Sequence, residues 1–317
     1  MKLVCTGNGM RSTAGGGRGS FFPTTMTFVP HLPMVPGIFL RCPQTGLPFM
    51  RILLVADLHY SLPQFDWVAG VADDFDIVIL AGDHLDTAAV ADIRAQSVVV
   101  RKYFERLHNQ TRLLICSGNH DLDSRDAAGE KIARWLKGQL NPGVLSDGDS
   151  VLLGETLFTI CPWWDGPLTR AQIAEQLAVA AEKRSGAWIW VHHAPPDKSP
   201  ISWGGARYFG DVELREWIEA YSPDIVVSGH VHQSPFVNDG SWVDKIGATW
   251  VFNAGHQYGA PPAHIIIDTS AGEAVWFSSA GSEIVQLGQP LQRPVPPLEA
   301  LPEWLKAADR PRDPSLG

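Results

Sequence analysis

The sequence predicts an α/β layered fold, because short, continuously apolar runs alternate along the chain with segments of helical spacing. The runs that fit buried strands cover residues 51–56, 76–80, 112–116, 187–191 and 224–228. The helical segments cover residues 92–108, 169–184 and 211–221. A further set of short runs is joined by turn-like segments, at 150–153, 156–160, 249–253, 264–268 and 274–278. This set predicts a second, mixed or partly antiparallel sheet.

Length and composition limit the classes of protein. The chain has 317 residues, of which 45% are hydrophobic, so it can bury a large core and is not globally disordered. The net charge of -9 disfavours binding of nucleic acid through a general electrostatic field. No apolar run reaches the roughly 18 residues that a membrane-spanning helix needs. The 4 cysteines form no CxxC pair, and Cys116 and Cys161 sit in apolar runs, so we expect these two to be buried thiols and the location to be a reducing cytoplasm.

Composition also predicts three segments. Residues 1–49 contain a glycine run and scattered prolines without any period, so we expect a disordered leader, and Met50 is an alternative start. Residues 50–288 form the folded domain. Residues 289–317 form a proline-rich tail, expected to be extended and mobile apart from a short helix at 298–308 that docks through Trp304 and Leu305.

Five short motifs rich in metal-binding side chains each follow a predicted strand. They are Asp57-Leu58-His59, Gly82-Asp83-His84-Leu85-Asp86, Gly118-Asn119-His120-Asp121, His192-His193 and Gly229-His230-Val231-His232. The carboxyl ends of strands line the ligand crevice in open α/β sheets, so we expect these side chains to converge. Carboxylates, imidazoles and one carboxamide suit two adjacent divalent ions such as Mn, Fe or Zn. Each motif alone also has a structural explanation, such as packed core histidines for His192-His193, but their common placement favours a metal site.

The motif order DxH, GDxxD, GNHD, H and GHxH resembles the calcineurin-like metallophosphoesterase family over residues 50–287. The resemblance implies a four-layer α/β/β/α sandwich with two mixed sheets and a dinuclear metal site at the strand carboxyl ends. It implies that Asp83 bridges two ligand sets: Asp57, His59, Asp83 and His232, and then Asp83, Asn119, His192 and His230. His192 directly follows its strand and is favoured over His193, which is then expected to face the substrate.

Two further residues of the GNHD motif are candidates for catalysis. His120 follows a metal ligand and is expected to act on the leaving-group oxygen as a general acid, or to clamp phosphate. Asp121 is expected to orient His120 or to share its charge. Asp86 is expected either to accept a hydrogen bond from a ligand histidine or to cap the next segment.

Three other residues are weaker candidates. His84 is expected to be a loop residue. His256 is a candidate substrate contact. Arg207 lies in the glycine-rich segment 203–210, which either covers the pocket or is plain surface.

The resemblance implies hydrolysis of a phosphodiester or phosphomonoester, with a small-molecule or nucleotide substrate, by in-line attack of a metal-bridging hydroxide. Alternatives are a nuclease of the same fold and a non-catalytic metal-binding scaffold for protein partners. Thr87 and Asp121 depart from the GDxVDRG and GNHE patterns of protein serine/threonine phosphatases. Asp86 stands where purple acid phosphatases carry a tyrosine. The chain therefore resembles the small phosphohydrolases of this family more than either of those branches.

Overall fold

Helices flank two large sheets in the computed structural model, which describes residues 49–137 and 143–306. The helices are α1 (Leu62–Val71), α2 (Ile93–His108), α3 (Pro167–Lys183), α4 (Val212–Tyr221) and α5 (Glu303–Lys306). The strands are β1 (Arg51–Val55), β2 (Ile77–Ala81), β3 (Arg112–Cys116), β4 (Ser124–Arg125), β5 (Lys131–Ile132), β6 (Ser150–Leu153), β7 (Thr156–Ile160), β8 (Trp188–Val191), β9 (Ile225–Ser228), β10 (Val243–Ile246), β11 (Thr249–Asn253), β12 (His264–Asp268), β13 (Glu273–Ser278) and β14 (Gly281–Gln286). The predicted leader lies outside the described residues except for Phe49.

Both large sheets are mixed, as predicted. The first has the order β14-β13-β12-β1-β2-β3, with β1, β2 and β3 parallel. The second has the order β10-β11-β9-β8-β7-β6, with β7, β8, β9 and β11 parallel. The expectation that the later strands form a sheet of their own was wrong. Strand β12 pairs antiparallel with β1, Arg51 opposite Asp268, so β12 and β13 extend the first sheet, whereas β8 and β9 belong to the second.

Side chains alternate between the two faces of each strand, so each sheet packs against the other sheet on one face and against helices on the other, which gives the four predicted layers. Ile52 and Leu54 of β1 point into an apolar cluster between the two sheets. Leu53 and Val55 point the other way and pack with residues of α1 and α2. A third cluster covers the outer face of the second sheet with α3 and α4. Each sheet is thus buried on both faces, which explains why its central strands read as continuous apolar runs.

Helix α1 was not among the predicted elements. Pro63 stands in its first turn, where the missing N–H has no intrahelical partner. Phe65, Val68 and Ala69 are buried against the first sheet and α2. The segment between β1 and β2 is therefore a short crossover helix, and its only sequence signal was the early proline followed by this spacing.

The described part of the proline-rich tail makes hydrogen bonds to the body. Ile284 N–H donates to Pro296 O over 3.0 Å, and Leu298 N–H donates to Ser282 O over 2.8 Å. Arg293 donates to Val243 O over 2.8 Å. The predicted docking of Trp304 and Leu305 is confirmed, since both pack on the cluster that contains α1 and α2.

The expectation of buried thiols is met for two cysteines among the described residues. Cys116 and Cys161 are buried free thiols, and burial raises the pKa of each. Cys5 and Cys42 lie outside the described residues. Across residues 49–137 and 143–306, no helix is long and apolar enough to cross a membrane.

Candidate metal centre

Five strands end at the same place, and the loops after them carry the five motifs. The loops after β1, β2 and β3 supply Asp57, Asp83 and Asn119 from the first sheet. The loops after β8 and β9 supply histidines from the second sheet. The side chains predicted from the sequence therefore converge, with one exception.

One group of possible metal ligands consists of Asp57, His59, Asp83 and His232, which offer ligand atoms within 4.8 Å of one another. His232 Nε2 lies 3.3 Å from Asp57 Oδ1 and 3.0 Å from His59 Nε2. His59 Nε2 lies 3.8 Å from Asp83 Oδ2. This group is the first ligand set that the family resemblance implied.

A second group shares Asp83 with the first and adds His193 and His230. His193 Nε2 lies 3.2 Å from Asp83 Oδ2. Asn119 Oδ1 lies 2.9 Å from His230 Nδ1, so Asn119 borders the same group. Asp83 is common to both groups, as expected of a bridging carboxylate.

The choice of His192 over His193 was wrong as a placement. Ile189 and Val191 of β8 face the cluster between the sheets, and alternation brings His193 to that same side. His192 points to the helix side, where its Nε2 lies 3.6 Å from Asp211 Oδ2. His193 Nδ1 lies 2.6 Å from Ala81 O and donates to that carbonyl, so Nε2 is the ring nitrogen that faces the carboxylates and would bind a metal ion.

The backbone at the centre is strained. Four of the converging residues have positive φ: 55° at Asp57, 42° at His59, 52° at Asp83 and 68° at His230. Such conformations cost an L-residue about 1–3 kcal/mol each and persist where surrounding structure enforces them. This concentration at one point of the fold is typical of a functional site.

Tight packing explains the glycine that begins three of the motifs. A Cβ at Gly82 would lie 2.3 Å from His193 Nδ1, and one at Gly118 would lie 2.1 Å from Asp83 Oδ1. A Cβ at Gly229 would lie 2.6 Å from Asp57 Oδ2. Glycine is needed here because the backbone of each loop passes against a candidate ligand.

The two central carboxylates are held ionised by the histidines. Burial alone would raise the pKa of Asp83, but the charge of His193, whose Nε2 lies 3.2 Å from Oδ2, and then the charge of His120 outweigh it and lower the pKa. Burial would lower the pKa of His193, yet Asp83 and Asp57 raise it to about 9. Burial, then the charge of His193, lower the pKa of His230 to about 4. The site thus places a protonated His193 beside two buried carboxylates and a neutral His230 next to it, and a metal ion at His193 Nε2 would take the place of that proton.

His120 lies beside the first ligand group. Its Nε2 is 4.0 Å from Asp83 Oδ2, and its ring meets the His59 ring edge-on at 4.7 Å. Its Nδ1 lies 2.9 Å from Thr87 Oγ1. Thr87 was not recognised in the sequence, because the contact joins two loops 33 residues apart.

Asp121 does not make the predicted contact with His120. Its buried carboxylate accepts hydrogen bonds from the backbone N–H groups of His84, Leu85 and Gly118. Burial, and then the charge of Asp83, raise its pKa well above the ordinary value. Asp121 therefore fastens the loop of Asp83 to the loop of Asn119, and its role is to position those loops.

The remaining candidates occupy defined places around the centre. Asp86 caps the following turn by accepting from Ala88 N–H over 2.8 Å, while its carboxylate stays near His59 and His120. His84 is a loop residue but is fully buried, with Nε2 3.0 Å from Cys116 O, and burial lowers its pKa to about 4.

The two weaker candidates His256 and Arg207 have different surroundings. His256 Nδ1 lies 2.7 Å from Asp57 O, and its ring lies 4.9 Å from that of His232, so it borders the centre. Arg207 is exposed, with its guanidinium 4.5 Å from the Phe209 ring centroid. His256 therefore remains a candidate, and Arg207 takes part in a surface contact.

Three observations show that these residues fit divalent ions. His193 Nε2 is buried and has no hydrogen-bond partner among the described residues. The facing Nε2 atoms of His59 and His232 are 3.0 Å apart, a distance at which two lone pairs repel unless a proton or cation lies between them. The ligands are nitrogen and oxygen atoms only, which suits Mn, Fe or Zn.

Two mixed sheets with an Asp/His cluster at the strand carboxyl ends define a metal-binding α/β protein. The sequence profile described as Calcineurin-like phosphoesterase matches residues 50–234. The chain therefore belongs to the calcineurin-like phosphoesterase family, which binds divalent metals and hydrolyses phosphate esters. No curated protein was found to match the sequence.

Several solved structures are similar to this chain. The protein TT1561 of Thermus thermophilus is 15% identical at a TM-score of 0.49, over 75% of this chain and 99% of that chain. Purple acid phosphatase PPD1 of yellow lupin seeds is 16% identical at a TM-score of 0.47, over 78% and 53%. Yfce, a phosphoesterase from E. coli, is 13% identical at a TM-score of 0.38, over 75% and 100%.

Proposed function

We propose that the protein hydrolyses phosphate diesters or monoesters of small molecules or nucleotides at a centre of two divalent ions. The single observation that carries the proposal is the convergence of two ligand groups on Asp83, with His120 beside them. The ions would supply the activated water and the positive charge that stabilises the phosphoryl oxygens.

The side chains of this centre divide the work. Asp57, His59 and His232 hold one side of the site, and His193, His230 and Asn119 hold the other. Asp83 contributes to both because its Oδ2 faces both groups, 3.8 Å from His59 Nε2 and 3.2 Å from His193 Nε2, while Oδ1 accepts from His120 N–H over 2.8 Å. The carboxamide of Asn119 adds an oxygen without a charge, which leaves the site attractive to an anionic ester.

His120 would donate a proton from Nε2 to the leaving-group oxygen. Thr87 Oγ1 faces the other ring nitrogen and serves both protonation states, since a hydroxyl donates to neutral Nδ1 and accepts from protonated Nδ1. Asp121 holds the two loops in register from within the protein.

Substitution of Asp83 by Asn tests the proposal. Asp83→Asn should lose metal from both sides and lower turnover by about a thousandfold or more, because the ions supply several kcal/mol of transition-state stabilisation. Metal content is measured by mass spectrometry of the purified protein. Turnover is measured with Mn²⁺ on bis(p-nitrophenyl) phosphate and p-nitrophenyl phosphate, a pair that separates diesterase from monoesterase activity.

Glu219→Gln is the matched control, because Glu219 is an exposed acid paired with Arg215 on helix α4. It should retain both metal and turnover. Full turnover by Asp83→Asn would contradict the bridging role. Wild-type protein that binds the ions but cleaves neither ester would favour the non-catalytic scaffold.

A further inference from the structure

We propose that Trp163 forms a subsite for a planar aromatic group, an aryl ring or a nucleobase, carried by the ester group that stays on phosphorus. The inference rests on the proposed function and narrows its substrate class to esters with such a group. The segment Cys161-Pro162-Trp163-Trp164-Asp165 took no part in the metal centre predicted from the sequence.

The position of Trp163 follows from the order of strands in the second sheet. Strands β7, β8 and β9 are parallel neighbours, so their carboxyl ends lie side by side. The loops after β8 and β9 carry His193 and His230, and the loop after β7 carries Trp163. The tryptophan therefore occupies the next strand end along the edge that forms the metal centre.

The Trp163 ring contacts the second ligand group directly. Its centroid lies 5.0 Å from that of His230 and 5.5 Å from that of His193. The side chain is partly exposed, and none of the three apolar clusters of described residues includes it. Its neighbour Trp164, by contrast, packs on the cluster under α3 and α4. A partly exposed indole beside candidate ligands is thus available to a bound molecule.

The ring is also held in place before any ligand binds. The backbone N–H of Trp163 donates to Ser117 Oγ over 2.9 Å and so fixes the loop that carries the ring, next to the loop that carries Asn119. The Trp164 ring is nearly parallel to it, at 7° and 6.0 Å between centroids, and Arg170 lies 3.6 Å from the Trp164 ring centroid. A platform that is already rigid loses little entropy when an aromatic group stacks on it.

The position of His120 indicates which of the two ester groups on phosphorus lies against Trp163. That residue contacts His59, in the first ligand group, and is the proposed donor to the leaving group. The Trp163 ring contacts His193 and His230, which both belong to the second ligand group. It therefore faces the ester group that remains bound to phosphorus. The net charge of -9 favours a small ester over a long polyanion.

Ligand binding tests the subsite without turnover. Calorimetry with Mn²⁺-loaded protein compares the phosphonate analogue of thymidine 5′-monophosphate, in which a P–C bond replaces the ester bond that hydrolysis would break, with inorganic phosphate. Trp163→Leu should weaken the nucleotide by about 5- to 100-fold, the range for loss of one base–aromatic stack, and leave phosphate within about twofold. Trp163→Phe should retain most of the affinity. Equal affinity of wild type for nucleotide and phosphate, or equal weakening of both in Trp163→Leu, overturns the proposal.

Turnover of diesters then tests whether the group at Trp163 is the one that stays on phosphorus. The methyl, phenyl and thymidine 5′ diesters of p-nitrophenyl phosphate share one leaving group. Trp163→Leu should lower kcat/KM for the phenyl and thymidine diesters by about 5- to 100-fold and spare the methyl diester. A selective loss for phenyl only or for thymidine only identifies the aryl ring or the nucleobase as the natural group. Equal loss on all three overturns the placement.

The control is Tyr258→Leu. Tyr258 is 96% exposed and lies beside His256, at the other ligand group, so the substitution removes an aromatic ring from the opposite side. A loss of aryl preference in Tyr258→Leu but not in Trp163→Leu also overturns the proposal. Failure of the proposed function looks different: wild type would cleave none of the three diesters, yet would still bind the nucleotide through Trp163.

Discussion

His192 and His193 are neighbours in sequence and equally buried, yet they belong to two different regions. His193 faces the space between the sheets, where Asp57 and Asp83 converge on its Nε2. His192 faces the helices, where the nearest carboxylate is Asp211. Residue type and burial are the same, so the side of strand β8 decides which histidine is a candidate ligand.

The two regions also differ in how their charges are satisfied. On the helix side, Arg170 donates to both oxygens of Asp211 over 2.7 and 2.9 Å, and Asp211 caps α4 through Glu213 N–H and Leu214 N–H. That carboxylate is fully engaged by protein groups. Between the sheets, the nitrogens of His59, His193 and His232 face carboxylates and one another. A closed network and an open ligand cluster therefore lie on opposite faces of one strand.

The largest expected effect comes from exchanging each histidine in turn for asparagine. His193→Asn should lose metal from the second group and lower turnover by about a thousandfold. His192→Asn should keep its metal and lose only about 1–3 kcal/mol of stability, the cost of disturbing a buried polar contact. Metal analysis, ester turnover and urea unfolding of both variants measure the difference. Metal loss in His192→Asn with retention in His193→Asn would reverse the assignment.

The next largest effect is on stability and concerns the closed network of Arg170 and Asp211 on the helix side. Asp211→Asn should lower the free energy of unfolding by about 3 kcal/mol, because it removes the buried one of the two carboxylates that pair with Arg170 and leaves only the half-exposed Glu213. Metal content should not change. Glu219→Gln, which breaks the exposed pair with Arg215, should cost less than about 1 kcal/mol. Urea titrations at pH 7 measure both, and equal costs would show that the network adds no more than a surface ion pair.

The stability difference between wild type and Asp211→Asn also has a defined pH dependence. Burial would raise the pKa of Asp211, but His192 and then Arg170 outweigh it and lower the pKa below its ordinary value of 3.8. A lowered folded pKa gives stability that is complete above 3.8 and is lost as pH falls towards the folded value. The difference between wild type and Asp211→Asn should therefore be constant above pH about 5 and shrink below pH about 4. A difference that grows in acid would contradict this sign.

The alternation of side chains between the two faces of a strand explains what the sequence could predict and what was missed. The apolar runs predicted both layers of strands, and the motifs predicted every converging side chain except one. Ile189 and Val191 share a face with His193, so the alternation of β8 already contained the correct choice. The position immediately after the strand was a weaker guide than the face on which it lies.

The alternation of side-chain direction no longer holds where the backbone turns after a strand. Ile52, Leu54 and Ala56 face the space between the sheets, so strict alternation would send Asp57 towards the helices. Its φ of 55° turns the carboxylate back into the metal centre instead. Thr87 and Trp163 were not predicted for a related reason, since their roles depend on contacts between loops that no local period encodes.

The smallest expected effect concerns Thr87, which is exposed and contacts His120 from the opposite side to the ligands. Thr87→Val keeps the shape but removes the hydroxyl, so His120 loses the partner that orients its ring. We expect kcat to fall by about tenfold on phenyl phosphate esters, whose poor leaving group needs a proton. The loss should be smaller on p-nitrophenyl esters, whose leaving group departs without one. Metal content should be unchanged, and Thr87→Ser should restore the rate; an equal loss on both ester types would assign Thr87 to the structure of the loop rather than to proton donation.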